Sequence, residues 1–140
     1  MMTARKIALD VGDVRIGVAV SDLMGICANP RETYVRCGDE DRDVAYFVEY
    51  AKKEGADAFV VGLPKNMDGT EGPRAEITRE FGEKLRETSG LDVVYVDERL
   101  TTVSAERMLI DADVRREKRK KVVDKVAATI ILQSYLDKIR

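Results

Sequence analysis

Residues 6–21, Lys6-Ile7-Ala8-Leu9-Asp10-Val11-Gly12-Asp13-Val14-Arg15-Ile16-Gly17-Val18-Ala19-Val20-Ser21, decide the fold, because they hold two apolar runs separated by a turn dipeptide. Lys6 to Val11 reads as a buried strand and Val14 to Ser21 as a second, with Gly12-Asp13 supplying the turn chemistry of a hairpin. Downstream, Ile26 to Arg36 holds a weaker third strand interrupted by Pro30. Proline has no amide hydrogen to give to a ladder, so this strand is expected at a sheet edge or with an irregular entry.

From there the period changes. Asp39 to Glu54 carries Val44, Phe47, Val48 and Ala51 at helical spacing, and Gly55 closes the helix. Ala58 to Gly62 is a short apolar run typical of a central strand, followed by the loop Leu63 to Gly69. Pro73 to Thr88 is predicted helical, with Ile77, Phe81 and Leu85 four apart and Ser89-Gly90 as its end. Leu91 to Val96 gives a fifth strand, Thr101 or Thr102 caps a helix to about Ala112, and Val122 to Ile139 forms the last and longest helix. Three meandering strands followed by alternating helices and strands predict a three-layer α/β fold, a mixed five-stranded sheet with helices on both faces.

The composition narrows the functions available. With 140 residues, 44% hydrophobic and 36% charged, the chain is expected to form one domain over residues 1–140. Apolar runs such as Val126 to Leu132 fall short of the about 20 residues that a membrane helix needs, and no signal-like start is present, so the expected location is the cytoplasm, with no membrane partner. Cys27 and Cys37 show neither zinc-ribbon spacing nor the density of a disulfide scaffold. The absence of histidine removes the usual general base and every Ser-His or Cys-His nucleophile. Catalysis must then run on carboxylates, lysines, hydroxyls or bound metal.

Three acids stand out. Asp10 ends an apolar strand, where a carboxylate is costly unless it is paired or bound to metal; the plainer role is to steady the Gly12 turn. Asp97-Glu98 follows the fifth strand, at the carboxyl end where sites of such sheets assemble, and an acidic pair also suits a helix N-terminus. On the last helix Lys125, Thr129, Gln133 and Asp137 make a polar line, while Asp124, Ala128, Ile131 and Tyr135 share a stripe near the opposite side. Asp124 is thus expected to face inward, toward either a shared metal or a buried basic partner. Three converging carboxylates without histidine suit Mg2+ or Mn2+, the ions of phosphodiester hydrolysis.

Between Arg115 and Lys125 lie seven basic residues against Glu117 and Asp124, a marked asymmetry in a chain of net charge −2. Arg116, Lys118, Arg119, Lys120 and Lys121 could offset the repulsion between the acids and a nucleic acid, or could form a solvated loop.

Read in order, Ile7-Ala8-Leu9-Asp10-Val11-Gly12, Arg15-Ile16-Gly17-Val18-Ala19-Val20-Ser21-Asp22, Gly62-Leu63-Pro64 with Gly69, Asp97-Glu98-Arg99-Leu100-Thr101-Thr102, Val123-Asp124 with Ala127-Ala128, and Ile131-Leu132-Gln133-Ser134-Tyr135-Leu136 resemble the YqgF family, also called RuvX, of Holliday junction resolvases and pre-16S rRNA nucleases. The resemblance covers nearly the whole chain. It implies an RNase H-like fold, a bacterial cytoplasmic location, and a metal-dependent nuclease that matures the 5′ end of small-subunit ribosomal RNA or resolves branched DNA. Carried over by position, Asp10, Glu98 and Asp124 are the catalytic and metal-holding acids. Arg15 and Arg99 are motif arginines that contact phosphate or anchor a loop, and Lys65 and Asn66 border the cleft. Lys125 stands where the family often has a small residue. The chain is expected to act as a monomer or a homodimer.

Two other readings remain at this point. Asp10-Val11-Gly12 with Gly17 also resembles the first phosphate loop of actin-like and sugar-kinase-like phosphotransferases, which bind nucleotide between two domains where this chain has room for one. The chain could also be a nucleic-acid-binding regulator of transcription or ribosome biogenesis that keeps the fold without cutting.

Overall fold

A computed structural model describes residues 4–98 and 116–139, including every side chain of these except those of 116–125. The helix expected from Thr101 or Thr102 to Ala112 lies outside the described residues, as does Arg99.

The hairpin forms as the sequence predicts, from β1 (Arg5–Val11) and β2 (Arg15–Ser21), with Val11 opposite Ile16. Its turn is closed by the Gly12 amide donating to the Arg15 carbonyl at 2.9 Å. A Cβ on Gly12 would stand 2.7 Å from that same oxygen, so only glycine fits. β3 (Ala28–Val35) pairs antiparallel with β2 alone and forms one edge of the sheet. Its ladder slips by one residue where Ala19 meets Pro30, the expected consequence of a missing amide donor.

α1 (Glu40–Glu54) is capped by the Asp39 carboxylate, which accepts from the amides of Asp41 and Arg42, and ends at Gly55 in the left-handed region at φ 68°. β4 (Ala56–Leu63) then lies parallel to β1, α2 (Pro73–Ser89) returns over the sheet, and β5 (Asp92–Asp97) pairs parallel with β4. The strand order is β3-β2-β1-β4-β5, and the long helix α3 (Arg116–Ile139) follows.

Strand alternation divides the core into two layers. Ile7, Leu9, Val18, Phe59 and Val61 face α1 and α2, where Phe47, Phe81 and Leu85 meet them. Ala8, Ala19 and Val60 face α3 and pack against Ala128, Ile131, Leu132 and Leu136. Alanines on the sheet and on the helix let α3 lie close to β1 and β2. Each large apolar side chain removed from water here stabilises the fold by about 1.5–3 kcal/mol. Among the described residues no helix is long and apolar enough to cross a membrane.

Two expectations change. Ile77 remains 48% exposed: Phe81 and Leu85 of the expected stripe are buried, but Thr78 with Ala75 takes the inward place of Ile77. α3 begins at Arg116, six residues before Val122, so the basic run is helical rather than a loop. Within the polar line of α3, Gln133 also ties the helix to the start of β3: its side-chain carbonyl accepts from the Ala28 amide at 2.9 Å, and its Nε2 group donates to the Ile26 carbonyl at 2.9 Å and to Asp137 Oδ1 at 3.0 Å.

One buried acid gave no sequence signal. Asp43 on α1 is 1% exposed and receives hydrogen bonds from Arg36 Nε (2.9 Å), the Tyr34 hydroxyl (2.8 Å) and the Cys37 amide (3.2 Å). Arg36 also donates to the Gly12 carbonyl at 3.0 Å and lies over the Phe81 ring, so the network ties α1 to the turn after Asp10. Burial alone would push the Asp43 carboxyl up, but the hydrogen bonds from Arg36, Tyr34 and Cys37 outweigh it and hold the group below its usual value. A depressed native value means stability present above the unfolded value near pH 4 and lost as the pH falls through the native one. Asp43→Asn leaves Arg36 facing a neutral group in a buried site, and is expected to cost about 3 kcal/mol in urea unfolding at neutral pH. The difference from wild type should shrink as the pH is lowered below about 4.

Candidate active site

The carboxyl ends of β1, β4 and β5 lie side by side, and alternation places Asp10 on the same sheet face as Ala8, Gly62 with Val60, and Glu98 with Val96. All three therefore face the α3 side. The Glu98 amide donates to the Leu63 carbonyl at 3.2 Å, which continues the β4–β5 ladder by one bond and fixes the residue at the strand end.

Between the two acids stands Gly62, on the middle strand. A Cβ there would come within 2.5 Å of Glu98 Oε2 and would collide with the Ile131 Cδ1 of α3. The missing side chain is the space into which the Glu98 carboxyl extends, across β4 toward Asp10 on β1. Glycine is required here for lack of bulk rather than for backbone freedom.

The electrostatics of this space are unfavourable to the bare acids. Burial, and then the charge of Asp10 and a hydrogen bond with it, push the Glu98 carboxyl well above the usual carboxylate range, with Arg74 pulling the other way. Glu98 Oε2 is buried and has no hydrogen-bond partner among the described atoms. Leaving such an oxygen unsatisfied costs about 1–3 kcal/mol, more if it is charged. A buried acceptor without a partner beside a second carboxylate suits a positive charge, and hard oxygen donors without nitrogen or sulfur fit Mg2+ or Mn2+.

Among the described residues no three His, Cys, Asp or Glu side chains form a metal cluster. The third expected acid, Asp124, has its backbone in α3, while its side chain lies outside the described ones. The direction of α3 nevertheless bears on it. Leu136 lies against Gly25 in the β2–β3 loop and Gln133 holds Ile26 and Ala28, whereas Ile131 lies over Gly62. The helix thus runs antiparallel to β1, β4 and β5, and the turns before Ile131 lead toward and past their carboxyl ends. The backbone of residue 124 is seven positions earlier, about 10 Å along the axis.

The expected nucleic-acid-binding residues distribute unevenly. Arg15 starts β2 at this same end of the sheet. Lys65 and Asn66 follow β4 there, but Asn66 serves its own loop: its amide and side chain bond Thr70 at 2.8 and 3.0 Å. The Glu71 carboxyl is held below its usual value first by the hydrogen bonds from Arg79, and the charge of Lys65 adds to this. Arg116, Lys118, Arg119, Lys120 and Lys121 occupy the first two turns of α3, their side chains outside the described ones. Arg74, on the first turn of α2, is a cation near the acids that the sequence reading missed, since a lone arginine after Gly72-Pro73 carries no pattern.

The chain matches the family model described as RuvX, Holliday junction resolvase, over residues 4–138. It is 50% identical over 138 residues to a protein of Streptococcus thermophilus (strain ATCC BAA-491 / LMD-9) named "Putative pre-16S rRNA nuclease", covering 96% of this chain and 99% of that one. Proteins of the same name from Clostridioides difficile (strain 630) and Bacillus cereus (strain B4264) are 50% and 51% identical, covering 98% and 96% of this chain and 96% and 98% of theirs. Among solved structures, T. thermophilus RuvC in complex with Holliday junction substrate aligns with a TM-score of 0.62 at 11% identity, covering 97% of this chain and 96% of that one. A second structure of Thermus thermophilus RuvC aligns with a TM-score of 0.58. At that identity the likeness is one of fold, and it is the RNase H-like fold that the sequence predicts.

Proposed function

The chain belongs to the RuvX family, and from that premise we propose that it is a divalent-metal-dependent nuclease that hydrolyses nucleic acid phosphodiesters with Asp10, Glu98 and Asp124. The observation that carries the reading is the buried, unpartnered Glu98 oxygen beside Asp10 in the space left by Gly62. Mg2+ or Mn2+, held by Asp10, Glu98 and Asp124, would polarise the phosphate and ready a water for attack, so that no protein nucleophile is needed. The residues of the chain supply position and environment. Ile131 and the β4 backbone close the site on one side and keep bulk water from the Glu98 carboxyl, where charge interactions are strongest. The basic residues of the first turns of α3 would offset the repulsion between the acids and an approaching polyanion.

The substrate favoured is the 5′ end of the 16S rRNA precursor, after the names of relatives that match nearly the full chain. The family description supports a second reading, cleavage of a four-way DNA junction, in which the chain would act as a two-fold pair. In a direct test, end-labelled RNA spanning the 16S 5′ end and a four-way DNA junction are each incubated with the protein in Mn2+, Mg2+ or EDTA. Cation-dependent cutting of the RNA supports the first reading, and paired cuts confined to the junction support the second. Tight binding of either substrate with no cleavage would replace both with a non-cutting regulator of cytoplasmic RNA.

The metal also has a readout apart from activity. Mn2+ that binds only the folded chain is expected to raise the melting temperature of wild type, by about 2.7 kcal/mol of stability at a hundredfold excess over its dissociation constant, and to leave Glu98→Gln nearly unmoved. Equal shifts in both proteins would place the cation elsewhere.

A further inference from the structure

We propose that Arg74 is the arginine that takes up a substrate phosphate beside the acid pair, and that Asp13 occupies its guanidinium until the substrate displaces it. The inference rests on the nuclease reading and extends it to a substrate contact. Arg74 projects from the first turn of α2 toward the β1–β2 turn, where its Nη1 lies 3.2 Å from Asp13 Oδ2. Asp13 lies in the β1–β2 turn three residues after Asp10, so the ion pair stands at the end of the sheet where the acids lie, over a narrow cleft lined by Val11, Gly12, Asp13 and Arg74 with Arg36, Ile77 and Thr78.

Neither partner is held. Their side chains are 64% and 71% exposed, and an ion pair in that setting contributes about 0–1 kcal/mol, little enough to be exchanged for a stronger anion. Arg74 is also placed against its local preference. A cation in the first turn opposes the helix dipole, at a cost of about 0.3–1 kcal/mol, which Asp13 barely offsets. The rest of α2 follows the dipole, with Glu76 in its first turn and Arg86 in its last. A residue that breaks the local rule at the rim of a site is where function is expected to outweigh stability.

The chemistry of a phosphate fits. Asp10 and Glu98 repel a polyanion, and a cation at the same end of the sheet offsets that repulsion during approach. A guanidinium presents paired donors that match two phosphate oxygens, which an exposed carboxylate in water matches less well than a backbone phosphate held by the whole substrate.

The test is the equilibrium binding of fluorescein-labelled single-stranded RNA, read by anisotropy with Ca2+ present, for wild type, Arg74→Ala, Arg74→Lys and Asp13→Asn over a range of salt concentrations. Because the pair is exposed, all four chains should give the same circular dichroism spectrum. Arg74→Ala is expected to weaken binding about tenfold and to flatten the salt slope by about one unit. Arg74→Lys should keep the slope but not the full affinity, and Asp13→Asn should tighten binding by freeing the guanidinium. Unchanged affinity in Arg74→Ala overturns the proposal, as does Asp13→Asn binding no tighter than wild type, which would reduce the pair to a brace for the turn. Cleavage by the wild-type chain in Mn2+ is scored separately. RNA bound but never cut would remove the nuclease reading while the Arg74 comparison still stands or falls on affinity.

Discussion

Asp10→Asn, Glu98→Gln and Asp124→Asn are each expected to lower RNA cleavage by a factor of about 1,000 or more, a loss of roughly 4 kcal/mol of transition-state stabilisation. For the first two, the metal-free protein is expected to melt at a higher temperature than wild type. Glu98 Oε2 is buried without a partner, and burial and the charge of Asp10 oppose its ionisation, so neutralising either acid relieves that cost. A residue placed for stability behaves in the opposite way, as Asp43 should. Activity and stability are therefore read together, in single-turnover cleavage with Mn2+ and in thermal melts with EDTA. Full cleavage by any one of the three, or a drop in melting temperature that accounts for the lost activity of Asp10→Asn or Glu98→Gln, would remove that residue from the site.

Gly62→Ala is the second large effect, from a single added methyl group. It would overlap both the Glu98 carboxyl and Ile131, and neither is free to move without cost, because Glu98 is tied to the Leu63 carbonyl through its amide and Ile131 belongs to the packed face of α3. Overpacking of this kind costs about 1–3 kcal/mol of stability, and a displacement of about 1 Å in a catalytic group lowers a rate by about a hundredfold. The double variant Gly62→Ala with Ile131→Val separates the two consequences. Removing the Cδ1 methyl that the new Cβ would meet costs about 0.5–1.5 kcal/mol by itself and should restore part of the stability lost to overlap, while the Glu98 carboxyl stays displaced and cleavage stays low. Recovery of both together would mean that the glycine serves helix packing alone.

The elements with local signals were readable from the sequence. The Gly12 turn, the edge position of the strand with Pro30, and the Asp39 and Gly55 ends of α1 depend on residues a few positions apart, and the structure has them as expected. What depended on distant partners was not. β4 starts at Ala56 rather than Ala58 because it pairs with Arg5 and Lys6 of β1. The stripe on α2 is set by which residues the sheet covers, so Ile77 is left outside despite its spacing. α3 extends back through Arg116–Lys121 because arginine, lysine and glutamate are good helix formers even where no apolar period marks them.

The candidate site divides in the same way. Asp10 and Glu98 could be found because an acid at the end of an apolar strand is expensive on its face, and the structure brings the two together. Gly62 read only as the end of a central strand and the first residue of a family motif, since its role is the absence of a side chain between Glu98 and Ile131. Arg36 and Asp43 meet through tertiary contacts that no spacing encodes.

The central claim is that a divalent cation is shared by acids from β1, the end of β5 and the third turn of α3. Crystals of the protein soaked in Mn2+, with anomalous diffraction recorded at the manganese edge, test it most directly. The account predicts a peak within about 2.0–2.5 Å of carboxylate oxygens from Asp10, Glu98 and Asp124 together. A fully occupied manganese elsewhere, or Asp124 turned away from an ion held by the other two, would contradict it.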